Sequence, residues 1–228
     1  MQEETFYLIY LDRTLSINWW GVFLKDKPIF YDSDILICFL AIHRVDILKK
    51  LFSKVIVPAP VYHELINIEK YKYIRNKLHS LISDGFVEVS EFEFASPEES
   101  KYNLIRRGFW SDGNPIGKGE SAAMAFAIEN NGIVASNNLT DVLDICDDYE
   151  IPILTSSIIL AFCFELNLMS KQEIESVWKE ILDNTKQKLP KETFNEYFNE
   201  LFENDCVELL KNYNFKRHYA ISQKKAKI

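Results

Sequence analysis

The feature that most limits the possible folds is an alternation along residues 28 to 170. Short apolar runs that fit buried strands are separated by longer stretches in which apolar residues recur at helical spacing. IFYD follows Pro28, KVIVP ends at Pro58 and Pro60, FVEVS follows Gly85, GIVAS follows the helix ESAAMAFAIENN, and IPIL precedes a run that starts at Thr155. Between the first two strands Leu36, Leu40, His43, Ile47 and Leu51 share one helical stripe, which puts His43 on a packed face. Between the second and third, Val61, Leu65, Ile68, Ile74, Leu78 and Ile82 form one long stripe. The residues from 91 to 119 read as a polar loop. Five strands joined by helices require crossover connections, and these give a mostly parallel sheet in an α/β fold.

Residues 1 to 27 and 171 to 228 fall outside this pattern. They read as an N-terminal extension and as a helical C-terminal extension with a basic tail. In the latter, Phe194, Tyr197, Phe198, Leu201 and Phe202 line one side of a helix that runs to Leu210, and so large an apolar side is expected to be buried on the body or in a homodimer.

Composition narrows the function. With 26 Lys plus Arg against 34 Asp plus Glu, the net charge is −8, which argues against a general nucleic-acid coating protein and leaves room for a nuclease with a local basic rim. Cys38, Cys146, Cys163 and Cys206 are far apart in apolar surroundings. They are expected as reduced core residues of a cytoplasmic protein. The apolar run from 151 to 169 contains Pro152, three hydroxyl residues and Glu165, so it divides into a strand and a buried helix and no membrane span is expected.

Ligand sites of open parallel sheets gather at the carboxyl ends of the strands, and the acids cluster there. Asp32 ends the first strand and Asp34 follows it. Glu64 lies in the helix after the second strand, about 60° from Val61 at 100° per residue, on the edge of the packed stripe. Glu120 opens a helix directly after the turn GKG. Asn137 and Asn138 follow the fourth strand, and Asp141 lies one turn beyond. Each has an ordinary structural explanation as a turn or cap residue. Together they bring several like charges to one edge, an arrangement a cation would neutralise, and all-oxygen ligands favour Mg²⁺ or Mn²⁺ over zinc.

IFYDSDILICFL, LFSKVIVPAPVYHELI, IGKGESAAMAFAIENNGIVASNNLTDVLDIC and IPILTSSIIL, in this order, resemble the successive blocks of the PIN domain, a metal-dependent ribonuclease fold common among toxin-antitoxin toxins. The resemblance implies a three-layer α/β/α sandwich over residues 28 to 170. It also implies catalysis by Asp32, Glu64 and Glu120, with Asp32 and Glu120 holding the ion and Glu64 orienting water. The fourth acid of the pattern, after the fourth strand, is replaced by Ser136, Asn137 and Asn138. Asn137 or Asp141 is the candidate to complete the metal shell, unless the site is degenerate and the fold serves as a binding module. The implied function is an RNA endonuclease, the toxin or effector of a toxin-antitoxin or defence locus, with an antitoxin protein as partner.

Arg106, Arg107, Trp110 and Lys118 are the candidate substrate-binding residues. The arginines suit phosphate and Trp110, with Phe109, suits base stacking; the aromatic pair would equally serve to anchor a long loop. Asp32-x-Asp34 also resembles the nucleophile motif of haloacid-dehalogenase-type phosphatases, but Leu36 stands where Thr or Val is wanted. The four histidines lie in no context for a Ser-His-acid triad.

Overall fold

The computed structural model describes residues 27–67, 72–109 and 114–199. Five strands form one sheet: β1 (Ile29–Tyr31), β2 (Val55–Pro58), β3 (Val87–Ser90), β4 (Ile133–Ala135) and β5 (Ile153–Leu154), in the order β3-β2-β1-β4-β5. Every neighbouring pair is parallel, with Phe30 opposite Ile56 on one side and Val134 on the other. The fold is therefore the parallel α/β fold expected from the alternation, in the α/β/α sandwich that the resemblance implies.

Side chains leave the strands alternately up and down, and this period of two makes two cores. Ile29, Tyr31, Val55, Val57, Ile133, Ala135 and Leu154 enter one core, and Phe30, Val134 and Ile153 enter the other. The first core is covered by α1 (Ser33–Ala41), α2 (Val45–Leu51), α3 (Ala59–Asn67), α4 (Lys72–Ser83) and α8 (Ser156–Glu165). The second is covered by α5 (Pro97–Arg106), α6 (Lys118–Glu129) and α7 (Leu139–Asp148). Helix α6 is buried along nearly its whole length from Gly119 to Ala127, which explains its small residues.

Three expectations need correction. The stripe from Leu36 to Leu51 is two helices, because the chain turns at His43, which has φ 59° and is exposed. The stripe from Val61 to Ile82 also belongs to two helices: Tyr62 Oη lies 3.3 Å from His79 Nε2, whereas 17 residues of continuous helix would separate them by about 25 Å. The stretch from 91 to 119 contains α5. Its start is written in Ser96-Pro97-Glu98-Glu99: Ser96 accepts from the Glu99 N–H, Glu99 accepts from the Ala95 N–H, and Pro97 occupies the first turn, a combination that stabilises a helix start.

Beyond the sandwich, α9 (Lys171–Asn184) begins with a capping box at Ser170 and Glu173. It lays Ile174, Val177, Trp178 and Ile181 into the first core. Helix α10 (Phe194–Phe198) follows, and Phe194, Tyr197 and Phe198 are buried against the same cluster, with the Phe194 ring edge-on to Phe164 and tilted against Trp178. Leu201, Phe202 and Leu210 lie outside the described residues. Cys38, Cys146 and Cys163 are free and buried, as expected, and Cys206 lies outside. Among the described residues no helix is long and apolar enough to cross a membrane.

Candidate active site

The strand order reverses direction between β1 and β4. Connections from β1 run outward to β2 and β3, and those from β4 run to β5. A crevice opens at the carboxyl ends of such a pair, and the chain places its acids there.

Asp32 is the N-cap of α1. Its Oδ1 accepts from the Ser33 N–H at 2.6 Å, and Ser136, the first residue after β4, donates its hydroxyl to Oδ2 at 3.4 Å. Asp32 is 1% exposed. Burial, followed by the neighbouring charges of Asp34 and Glu120, holds its carboxyl well above the ordinary range, against the opposing Ser33 N–H. Asp34 sits in the first turn of the same helix. Its Oδ2 accepts from the backbone N–H of Asn137 at 2.7 Å, while its Oδ1 is buried without a hydrogen-bond partner among the described residues. Burial pushes the Asp34 carboxyl up to about 7 in spite of that hydrogen bond.

Glu64 reaches the cleft from α3. Gly119 makes this possible: a Cβ there would stand 2.6 Å from Asp32 Oδ1 and 2.9 Å from Glu64 Oε2. The two carboxylate oxygens are thus no farther apart than the sum of those distances. Burial raises the Glu64 pKa and Glu120 adds to the rise, against the Ser33 hydroxyl, the Gly119 N–H and Lys118. Gly117, the N-cap of α6, does the same for Glu120, whose carboxylate folds back over the position that a Cβ at Gly117 would fill. The turn GKG is a carboxylate cradle on both sides, and that is the physical content of its two glycines.

The two asparagines after β4 face different ways. Asn137 turns its Oδ1 to the N–H and hydroxyl of Ser156, at 2.9 and 3.0 Å, and so satisfies the open first turn of α8. Its Nδ2 donates to Gln187 Oε1 at 3.3 Å. Asn138 donates its Nδ2 to Glu120 Oε1 at 3.1 Å and to Asp141 Oδ2 at 3.0 Å. The structure therefore gathers Asp32, Asp34, Glu64 and Glu120, and ties Asp141 to Glu120 through an amide. Sequence reasoning left Asp34 and Asn138 out of the catalytic set. The available signal for Asp34 was its two-residue spacing from Asp32 at a helix start, which keeps both carboxylates at the sheet edge.

On the substrate side, Arg106 donates its guanidinium to the carbonyl of Ile116 and so braces the segment leading into GKG. Arg107 and Lys118 are exposed, Phe109 is 72% exposed, and Trp110 lies outside the described residues.

The donors are all oxygens, one of them is a buried carboxylate oxygen without a partner, and the carboxyls repel one another. A hard divalent cation fits this chemistry. Among the described residues, no three His, Cys, Asp or Glu side chains already stand in the arrangement of a metal cage.

No curated protein matches the chain. Solved structures similar to it include the DNA-bound VapBC of Salmonella typhimurium, 17% identical, TM-score 0.43, covering 57% of this chain and 98% of that one. VapBC2 of Rickettsia felis bound to a promoter DNA fragment is 18% identical, TM-score 0.39, covering 56% and 97%. FitAcB of Neisseria gonorrhoeae is 18% identical, TM-score 0.38, covering 55% and 96%. A family model described as PIN domain matches residues 28–143, the span that holds every carboxylate of the cleft, and over that span the chain belongs to the PIN domain family.

Proposed function

We propose that the protein is a metal-dependent endoribonuclease, the toxin or effector of a toxin-antitoxin or defence locus, with an antitoxin protein as its partner. Membership of a family whose members are typically nucleases supports this reading. The observation that carries it is the packing of Asp32, Asp34, Glu64 and Glu120 at the strand-order reversal, with Asp34 Oδ1 buried and unpaired. Repelling carboxylates in a buried position cost stability, and they persist in a fold where a bound cation relieves them.

Asp32 and Glu120 are the residues that would hold Mg²⁺ or Mn²⁺, with Asp34 and Asp141 beside them. When bound, the ion supplies positive charge against the phosphate and lowers the pKa of its water. Glu64 is the proton acceptor. It is half-buried with a raised pKa, which brings it closer to the working pH of a general base. Ser33 and the Gly119 N–H orient its carboxylate. Asn138 holds Glu120 and Asp141 at a common amide, and Asn137 fixes Asp34 through its backbone.

A second reading is favoured by the amides that follow β4, where the family pattern has its fourth acid: a PIN fold that has lost catalysis and binds a partner. One experiment separates the two. Mn²⁺ titration of the full chain, read as thermal midpoint, should raise the midpoint of the wild type by mass action and leave Asp32→Asn nearly unmoved. Asp32→Asn should also lower cleavage of a labelled single-stranded RNA by roughly 10² to 10⁴. A wild-type midpoint indifferent to Mn²⁺ and Mg²⁺, with no cleavage, would favour the binding module.

A further inference from the structure

The C-terminal segment between α9 and α10 lies at the cleft. Residues 185 to 189 form a strap, bent at Thr185 and Lys186, in which Thr185, Gln187 and Leu189 are partly buried and Lys186 and Lys188 are exposed. Both lysines therefore face solvent, while Gln187 between them turns toward the fold. The strap is pinned at three points. Thr185 donates its hydroxyl to the Ile181 carbonyl at 2.7 Å and accepts from the Gln187 N–H at 3.1 Å. Leu189 packs on the first core. Gln187 Oε1 accepts from Asn137 Nδ2 at 3.3 Å, and Asn137 itself holds Asp34.

Along the sheet edge the order of the site is fixed by the strands. Glu64 follows β2, Asp32 and Asp34 follow β1, Asn137 and Asn138 follow β4, and Ser156 follows β5. Gln187 brings the strap to the β4–β5 end of this row. Lys118 stands at the other end, next to Gly119, which packs on Asp32 and Glu64. A polyanion entering a cleft of four carboxylates, on a chain of net charge −8, needs cations at the rim to offset repulsion.

We infer that Lys186 and Lys188 form a phosphate-binding rail for single-stranded RNA, contributed by the extension outside the family-matched span, with Gln187 as the peg that aligns it on the catalytic row. The inference rests on the nuclease reading. Lysine suits such a rail, because a mobile point charge follows phosphates without reading bases.

The test uses the full chain carrying Asp32→Asn, in EDTA, with a fluorescent single-stranded RNA and anisotropy as readout. Relative to that parent, Lys186→Gln/Lys188→Gln should weaken binding and reduce the slope of log Kd against log salt by about 1.4, at roughly 0.7 per phosphate contact on a single strand. Lys186→Arg/Lys188→Arg should restore the slope. Lys171→Gln/Lys179→Gln, which removes the same charge from exposed positions of α9, should leave it within error. An unchanged slope in the Gln pair, or an equal loss in the α9 control, would overturn the rail and leave the nuclease reading standing. No salt-dependent RNA binding by the Asp32→Asn parent would overturn both.

Discussion

The side-chain amide of Asn138 donates to Glu120 at 3.1 Å, from the stretch Ser136 to Asn138 in which the family pattern has an acid. The same amide donates to Asp141, so one neutral residue bridges two carboxylates that a fourth acid would repel. Asn138→Asp should therefore act with opposite signs in the two states of the site. In EDTA it loses two charge-assisted hydrogen bonds and adds like charge, which costs about 1–3 kcal/mol in a urea melt. With Mn²⁺ the added carboxylate should enlarge the thermal shift. Asn137→Asp keeps its acceptors toward Ser156 and should change the Mn²⁺ response little.

Gly119→Ala places a methyl group against Asp32, Glu64 and Val61 at once. Crowding of this kind costs about 1–3 kcal/mol, and the carboxylates must separate to accept it. Loss of the Mn²⁺-induced thermal shift together with a lower urea midpoint is the expected result. Gly117→Ala meets the Glu120 carboxylate first, the far end of a flexible side chain. It should abolish the Mn²⁺ response with a smaller stability cost, and full retention of that response in both variants would contradict the cradle.

Apo stability should fall as pH rises. Burial raises the carboxyls of Asp32, Asp34 and Glu64, so the folded chain binds more protons than the unfolded chain between their two pKa values. Stability is then lost with increasing pH, across a window that for Asp34 runs from the ordinary range near 4 to about 7. Thermal midpoints in EDTA should be higher at pH 5.5 than at pH 8, because these three groups act in one direction. Asp34→Asn should flatten the dependence and raise the midpoint at pH 8; an unaltered pH profile would exclude Asp34 as a contributor.

Phe194→Ala should destabilise the whole domain by about 3–5 kcal/mol. Phe194 is fully buried against Trp178 and Phe164, and Trp178 fixes the return of the chain by donating its indole N–H to the Lys191 carbonyl at 3.0 Å. Because α9 and α10 share the first core with the sheet, a single calorimetric transition should move down in temperature. Two resolved transitions, with only one displaced, would mean that the extension folds apart from the sandwich.

The sequence by itself determined the layer architecture and the set of acids at the sheet edge. Strand and helix periods are local properties, so IFYD, VIVP and GIVA announce buried strands wherever they stand, and an acid directly after such a strand must lie at its carboxyl end. Local signals also contained α5, in the Ser96-Pro97-Glu98-Glu99 start. The break at His43 was hidden because apolar residues on either side of a turn can keep a helical spacing by coincidence. The division of the stripe from Val61 to Ile82 into two helices was hidden for the same reason, and the Tyr62–His79 contact reveals it. Tertiary structure alone decided which asparagine faces the acids. Adjacent side chains at the end of a strand point apart, and whether Asn137 or Asn138 meets Glu120 depends on where α6 and α8 dock. It also decided what pins the Asp34 carboxylate at the edge, since its partner, the Asn137 N–H, is 103 residues away. The role of Gly119 is equally nonlocal: no property of a GKG turn says that two carboxylates from other elements will occupy the space its missing side chain leaves.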